Sequence, residues 1–183
     1  MKVTSKDGEI LLQVARHAID YGLEKARKPE LDANTYSEVL QAHRASFVTL
    51  KLDGRLRGCM GTLTARQATV SDVCEHAYLS AFSDPRFSAV SATEAPLLDI
   101  SLSLLSPQTP IEFASEAELL CQLRPHVDGL ILKSGARQAT FLPAVWESLA
   151  EPSSFVEQLK LKANFASGDE RYDAWRYTVD SIG

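Results

Sequence analysis

The chain of 183 residues has little of what marks several classes of protein. Its three cysteines, Cys59, Cys74 and Cys121, are too few and too scattered for a disulfide framework, and they form no Cys-x-x-Cys pair typical of a zinc site. No apolar run approaches the roughly 20 residues of a membrane-spanning helix. The first residues lead into a charged amphipathic stretch without a signal-peptide core. We therefore expect a soluble, cytoplasmic protein with free thiols.

Basic charge is also scarce. The 19 Lys and Arg residues face 24 Asp and Glu, a formal net charge of −5, which argues against nucleic acid or a membrane as a partner. With 45% apolar residues, the composition is that of an ordinary globular protein. A chain of this length can bury roughly two thirds of its unfolded surface in one core. We therefore expect a single domain over residues 1–183, with a small subdomain contributed by the 108–165 region.

The apolar spacing predicts a first half of two helices and a hairpin. A helical period over residues 5–25 predicts a long amphipathic helix, with Ser5 or Asp7 as its N-cap. A second helix is expected to run to about Phe82, opened by a capping box of Thr69 and Asp72. Segments rich in β-branched and aromatic side chains predict three strands, at residues 46–52, 55–61 and 99–105. The dipeptide Asp53-Gly54 predicts a tight turn between the first two of these strands.

The second half alternates short elements of both kinds. Ser115 with Glu118 predicts a short helix, and residues 129–142 predict a second hairpin. Two more helices are expected, one around Val145-Trp146 and one capped by Ser153 or Ser154, and the alternation of Trp175, Tyr177 and Val179 predicts a closing strand. Without a regular βαβ order, the predicted fold class is α+β, a mostly antiparallel sheet flanked by helices, with a smaller subdomain.

The predicted strand 55–61 carries the most unusual residues of the chain. Gly58 and Gly61 bracket Cys59, although glycine weakens a strand and there serves a bulge or a close approach. One interpretation is that the glycines expose backbone N–H groups to an anion and that Cys59 is a nucleophile. The other interpretation is a bulged strand in which Cys59 is buried and inert, because free cysteines are among the residues most often buried.

Arginines accompany this segment. Arg55 and Arg57 could hold a nearby thiol as thiolate. In the predicted turn Asp84-Pro85-Arg86-Phe87, Asp84 can bond its own backbone, whereas Arg86 is left to bind a carboxylate or phosphate or to form a structural salt bridge. The basic and aromatic residues of 171–177 could stack on a nucleobase, but the alternation favours core packing. No histidine spacing predicts a metal site.

The order and spacing of several segments resemble the AMMECR domain family, whose prokaryotic members are the A proteins of AmmeMemoRadiSam systems. The matching segments are residues 46–50, 56–61, 84–87, 100–107 and 139–143. The most specific is Leu-Arg-Gly-Cys-Met-Gly, in which Met60 stands where the family usually has isoleucine. The resemblance implies an α+β fold. It also implies a component that acts with a radical S-adenosylmethionine (radical-SAM) enzyme and a Memo-type protein similar to dioxygenases.

The residues and the resemblance together give two hypotheses. The first is an accessory or catalytic component that binds a small anionic metabolite or a nucleobase near the motif, with no metal and no cofactor. Whether it is an enzyme stays open. Its candidate residues are Cys59 for catalysis and Arg55, Arg57, Gly58, Met60, Gly61, Asp84 and Arg86 for ligand binding. The alternative is a protein–protein adaptor with no catalytic activity of its own.

Overall fold

The structure is a computed structural model that describes residues 3–165 and 172–183. The helices of the described residues are α1 (Ser5–Lys25), α2 (Glu38–Gln41), α3 (Thr69–Phe82), α4 (Glu116–Gln122) and α5 (Pro152–Lys162), with 3₁₀ turns at Ala33–Thr35, Ala95–Leu97 and Pro143–Glu147. The strands are β1 (Ser46–Leu52), β2 (Arg55–Gly61), β3 (Asp99–Leu105), β4 (Thr109–Ile111), β5 (Gly129–Ser134), β6 (Arg137–Phe141), β7 (Asp173–Tyr177) and β8 (Val179–Ile182). Among these residues, no helix is long and apolar enough to cross a membrane.

The chain divides into two compact units. The first is Met1–Leu105 with Asp180–Gly183, and the second is Ser106–Val179. Each unit has a four-stranded antiparallel sheet, in the order β2-β1-β3-β8 in the first and β4-β7-β5-β6 in the second. The predicted α+β class is confirmed.

Each unit also has a core of its own. In the first, the apolar sides of α1 and α3 pack on one face of the sheet, and buried side chains such as Leu11, Val73 and Leu102 form the core. In the second, Trp146 stacks on Phe155, with ring centroids 3.7 Å apart, among aliphatic side chains of the sheet and α5. The apolar residues of each unit are therefore buried mainly against other residues of the same unit.

Of the predicted N-caps, Ser115 of α4 is confirmed, since its hydroxyl accepts from the Glu118 N–H at 3.3 Å, whereas those of α1 and α5 are wrong. The N-cap of α1 is Thr4, not Ser5 or Asp7, because the Thr4 hydroxyl accepts from the Asp7 N–H at 3.2 Å and the Asp7 carboxylate accepts from the Thr4 N–H at 3.1 Å. The predicted Ser153 or Ser154 cap of α5 is wrong as well. Its N-cap is Glu151 without a side-chain hydrogen bond, and Pro152 opens the helix.

The capping box predicted for α3 is also wrong, since its two side chains serve tertiary contacts. The N-cap is Ala68, with no side-chain hydrogen bond. The Thr69 hydroxyl donates to the Ala42 carbonyl at 2.7 Å. The buried Asp72 carboxylate accepts from both the N–H and the hydroxyl of Ser46, at 3.0 and 2.6 Å. These bonds fix the start of α3 against the beginning of β1.

The predicted closing strand is two strands that belong to different sheets. β7 is an inner strand of the second sheet, between β4 and β5, whereas β8 is an edge strand of the first. The short strand β4 is not predicted by the sequence pattern, because Pro110 within it is typical of a strand end. As an edge strand, β4 tolerates a residue without an N–H.

Candidate functional site

The motif strand β2 lies at an edge of the first sheet, with β1 on its inner side. The turn that joins the two strands has positive φ at both Asp53 and Gly54, 49° and 74°, as the dipeptide predicts. The register then shifts by one residue. Leu50 pairs with Gly58 and Lys51 pairs with Leu56, so that Arg57 is the extra residue of a β-bulge.

The two glycines of the motif make room for close neighbours. A Cβ atom on Gly58 would lie 2.1 Å from the Ser80 carbonyl oxygen of α3, and one on Gly61 would lie 2.4 Å from the Phe47 ring. Any side chain at Gly58 would therefore push the helix backbone away from the strand. The predicted close approach is what the structure shows at both positions.

The Ser80 side chain continues this contact between α3 and the sheet. Its hydroxyl is buried, accepts from the Met60 N–H at 2.9 Å and donates to the Val48 carbonyl at 2.8 Å. Because Val48 and Met60 are paired residues of β1 and β2, the hydroxyl bridges the two strands. The Met60 N–H thus has a partner from within the protein.

The backbone N–H and carbonyl of Cys59, at the outer edge of β2, are hydrogen-bonded by side chains of the turn that follows α3. The Asp84 carboxylate accepts from the Cys59 N–H at 2.8 Å, and Nη2 of Arg86 donates to the Cys59 carbonyl at 3.2 Å. The same guanidinium bonds both oxygens of Asp84, Nε to Oδ1 at 2.9 Å and Nη2 to Oδ2 at 2.7 Å. These bonds from Arg86, aided by the Cys59 N–H and against the effect of burial, hold the pKa of Asp84 well below its usual range.

Arg57 secures the next part of the same loop. Its Nε donates to Glu94 at 2.9 Å, and its Nη1 donates to the Ser88 carbonyl at 2.8 Å. The Arg57 bond is the largest cause that lowers the pKa of Glu94 to about 2. The Phe87 ring contacts both arginines of the site, with its centroid 6.0 Å from the guanidinium carbon of Arg57 and 5.5 Å from that of Arg86.

The Cys59 side chain points away from α3, to the other face of the sheet. The thiol is half-buried, and its Sγ lies 3.4 Å from the Thr49 hydroxyl. Thr49 pairs with Cys59 on one side and with Ser101 on the other. A thiol and two hydroxyl side chains therefore form a polar row across three strands, which we call the Cys59 row.

The structure thus brings together most of the candidate residues. Arg57, Asp84 and Arg86 all bond parts of the β2 edge or its loop, whereas Arg55 is exposed beside the hairpin turn. Sequence reasoning did not find Thr49, Ser80, Glu94 or Ser101. For Thr49 the available signal was the two-residue turn, but a regular register counted from that turn places Thr49 opposite Gly58, and only the bulge brings it opposite Cys59.

The remaining candidates lie elsewhere. Arg171 falls outside the described residues. In the rest of the basic and aromatic segment, Tyr177 is buried, which raises its pKa to about 12, and its hydroxyl lies 2.7 Å from that of Thr140. Within residues 3–165 and 172–183, no group of three or more His, Cys, Asp and Glu side chains is placed to hold a metal ion.

Comparisons with known proteins find similar sequences and a similar structure over most of the chain. A protein of Methanothermobacter thermautotrophicus is 34% identical over 139 residues, 76% of this chain and 72% of its own. One of Thermotoga maritima is 31% identical over 171 residues, 92% of both chains. The crystal structure of the uncharacterized protein PH0010 from Pyrococcus horikoshii superposes with a TM-score of 0.89 at 28% identity, covering 99% of this chain and 93% of that one. The sequence model of the AMMECR1 family matches residues 12–182, and the chain therefore belongs to this family, as its motifs predicted.

Proposed function

We propose that this protein binds a small anionic metabolite or a nucleobase at the Cys59 row. The observation that carries the proposal is the Arg86 guanidinium, which is 54% exposed yet held on the buried Asp84 and the Cys59 carbonyl. A cation that is fixed before the ligand arrives loses less side-chain entropy on binding than a free one. A planar guanidinium suits carboxylate and phosphate groups in particular.

The three arginines differ in what they can offer a ligand. Arg86 donates to Asp84 and to the Cys59 carbonyl and is still 54% exposed. In contrast, Nε, Nη1 and Nη2 of Arg57 all donate to protein groups, and its side chain is only 12% exposed. Arg55 is exposed. The proposal therefore assigns the anion contact to Arg86 and the hold on the loop to Arg57, whereas Arg55 pairs with Leu52 beside the hairpin turn, away from the Cys59 row.

We assign Cys59 to the wall of this binding site, and a nucleophilic thiol is the alternative. A nucleophilic thiol needs an adjacent base or another group that favours its thiolate. The Thr49 hydroxyl lies 3.4 Å from Sγ, and the Cys59 side chain also interacts with the Arg86 guanidinium, a cation that favours a thiolate, but neither of these two groups is a base. A Cys59→Ser substitution tests this directly: a binding role predicts a small change in affinity, and a nucleophile predicts loss of any turnover.

The test of the binding site is a titration with adenosine monophosphate and, separately, with inorganic phosphate, followed by amide chemical shifts. We expect the shifts to centre on Thr49, Cys59 and Ser101, and Arg86→Ala to weaken binding about tenfold. Arg66→Ala, which removes another exposed arginine, is the matched control and is expected to change nothing. Equal affinity of the Arg86→Ala and Arg66→Ala proteins, with both folded by circular dichroism, would refute the assignment.

We also propose that the protein acts together with a radical-SAM enzyme and a Memo-type protein. The support is membership of the AMMECR1 family, whose motifs resemble the A proteins of three-part systems. The test is co-purification and titration of this chain with each candidate partner at micromolar concentration. Association without any binding of the two probes would favour the adaptor alternative, and no association would refute the partnership.

A further inference from the structure

We propose that the first unit has a second ligand site, for a small molecule with an apolar body and one anionic group. The site is a pocket of about 470 Å³ between the segment that follows α1 and the first two turns of α3. This volume is in the range of pockets that take small organic ligands. We call it the α1–α3 pocket.

The inner wall of the α1–α3 pocket is apolar. It is formed by Pro29, Leu31 and Cys74, of which Pro29 and Cys74 are buried and Leu31 is half-buried. Burial raises the pKa of the Cys74 thiol to about 11, so the thiol is neutral at physiological pH. A neutral, apolar wall favours a hydrocarbon or aromatic body over a fully charged ligand.

The rim is polar, and its two cations, Arg27 and Lys28, are not equally available to a ligand, because Lys28 pairs with Glu75 outside the lining. Glu75 is already held on two sides, by Nζ of Lys28 at 3.1 Å and by the side-chain amide of Gln67 at 2.6 Å. These bonds outweigh the effect of burial and lower the pKa of Glu75. Lys28 and Glu75 therefore compensate each other and leave Arg27 as the cation that a ligand can recruit.

Arg27 has a partner that a ligand anion can replace. Its Nη1 lies 3.5 Å from Glu30, and the two side chains are 59% and 94% exposed. An exposed ion pair of this length contributes little to stability. An anionic group seated against the inner wall would displace Glu30 and bond Arg27, with the Ser71 side chain as a second polar neighbour. The apolar inner wall and the single available cation together favour a ligand with an apolar body and one anionic group.

The α1–α3 pocket shares no residue with the site at Cys59. Its lining comes from residues 27–31 and from the segment 67–74, whereas the Cys59 row lies on the opposite face of the sheet from α3. Failure of one proposal therefore leaves the other untouched.

The test uses 8-anilinonaphthalene-1-sulfonate, which carries an aromatic body and one sulfonate, and its uncharged analogue N-phenyl-1-naphthylamine. We expect Arg27→Ala to weaken binding of the sulfonate about threefold and Glu30→Gln to strengthen it by a similar factor, since one substitution removes the cation and the other frees it. Both positions are exposed, so the fold should be unchanged. Lys25→Ala, in the last turn of α1, is the control for general charge.

Three outcomes would overturn the proposal. One is equal affinity of the sulfonate for the wild-type, Arg27→Ala and Glu30→Gln proteins. The second is a parallel change for the uncharged analogue, which would mean that the substitutions act through the fold. The third is a set of amide shifts centred on His17 and Tyr36, which line a neighbouring pocket of about 340 Å³, instead of on Ser71 and Cys74, which line only the α1–α3 pocket.

Discussion

At the scale of single residues, the absence of a side chain at Gly58 sets how closely α3 approaches the edge strand. An added Cβ would meet the Ser80 carbonyl oxygen at 2.1 Å, and a helix backbone cannot yield as a flexible side chain can. We expect Gly58→Ala to lower the free energy of unfolding by about 2–3 kcal/mol, the range of overpacked sites. Urea denaturation followed by far-UV circular dichroism measures it.

Gly54 provides the contrast that separates crowding from backbone strain. Its φ is +74°, but an added Cβ would meet nothing within 4 Å. Gly54→Ala should therefore cost only about 1 kcal/mol, the penalty of a left-handed alanine. If Gly58→Ala and Gly54→Ala lower the free energy of unfolding equally, the contact between Gly58 and Ser80 does not limit how closely α3 packs on β2.

The three thiols should differ in their reaction with iodoacetamide in the native protein. Cys121 is exposed, Cys59 is half-buried, and Cys74 is 2% exposed with a pKa of about 11. Because both access and thiolate are needed, we expect Cys121 to react first, Cys59 more slowly and Cys74 only after unfolding. Peptide mapping at several times gives the order, and rapid reaction of Cys74 would show that α3 opens locally.

At the scale of elements, the edge of β2 is held by contacts that a regular sheet would not need. The Ser80 hydroxyl bridges Met60 and Val48, and it is 1% exposed. Ser80→Ala would leave the Met60 N–H and the buried Val48 carbonyl without this partner, at a cost of about 1–3 kcal/mol. Ser88→Ala, at an exposed position of the loop, is the control for the same urea measurement.

The loop over this edge should respond to acid through Glu94. Its pKa in the folded protein is about 2 against an ordinary 4.5, so its contribution to stability is complete above pH 4.5 and is lost as the pH falls towards 2. Glu94→Gln should lower stability at pH 6 and should flatten the decline below pH 4.5. Urea midpoints at several pH values test this, with Glu9→Gln on the exposed side of α1 as the control. Parallel profiles for wild type and Glu94→Gln would contradict it.

At the scale of the whole molecule, the two units have separate cores and can be followed separately. Both tryptophans, Trp146 and Trp175, lie in the second unit, so tryptophan fluorescence reports on that unit, whereas far-UV circular dichroism reports on both. The first unit is discontinuous, because β8 completes its sheet and Asp180 pairs with Arg44 at 2.8 Å.

Removal of residues 180–183 should therefore destabilise mainly the first unit. We expect the midpoint by circular dichroism to shift to lower urea while the fluorescence midpoint changes little, since the second core keeps all its residues. The matching measurement on the wild-type chain gives the reference for both probes. Equal shifts of the two midpoints would mean that the chain unfolds as one cooperative unit.

Much of the fold follows from local patterns. The helical period of residues 5–25 and the Asp53-Gly54 turn gave α1 and the first hairpin with their observed bounds, because periodicity and turn conformation act over a few residues. The family followed from short motifs in a fixed order. Local patterns did not predict the split between β7 and β8, because alternation continues through Thr178 while the strand changes sheet.

The site depended on tertiary structure to a greater degree. The sequence by itself determined that Gly58, Cys59 and Gly61 share a strand and that Asp84 and Arg86 share a turn. Only the folded chain decided that Asp84 bonds the Cys59 N–H and that Arg57 bonds Glu94, partners 25 and 37 residues apart. The bulge at Arg57 decided that Thr49 faces Cys59. Such choices follow from packing and register between distant segments, which a local pattern does not contain.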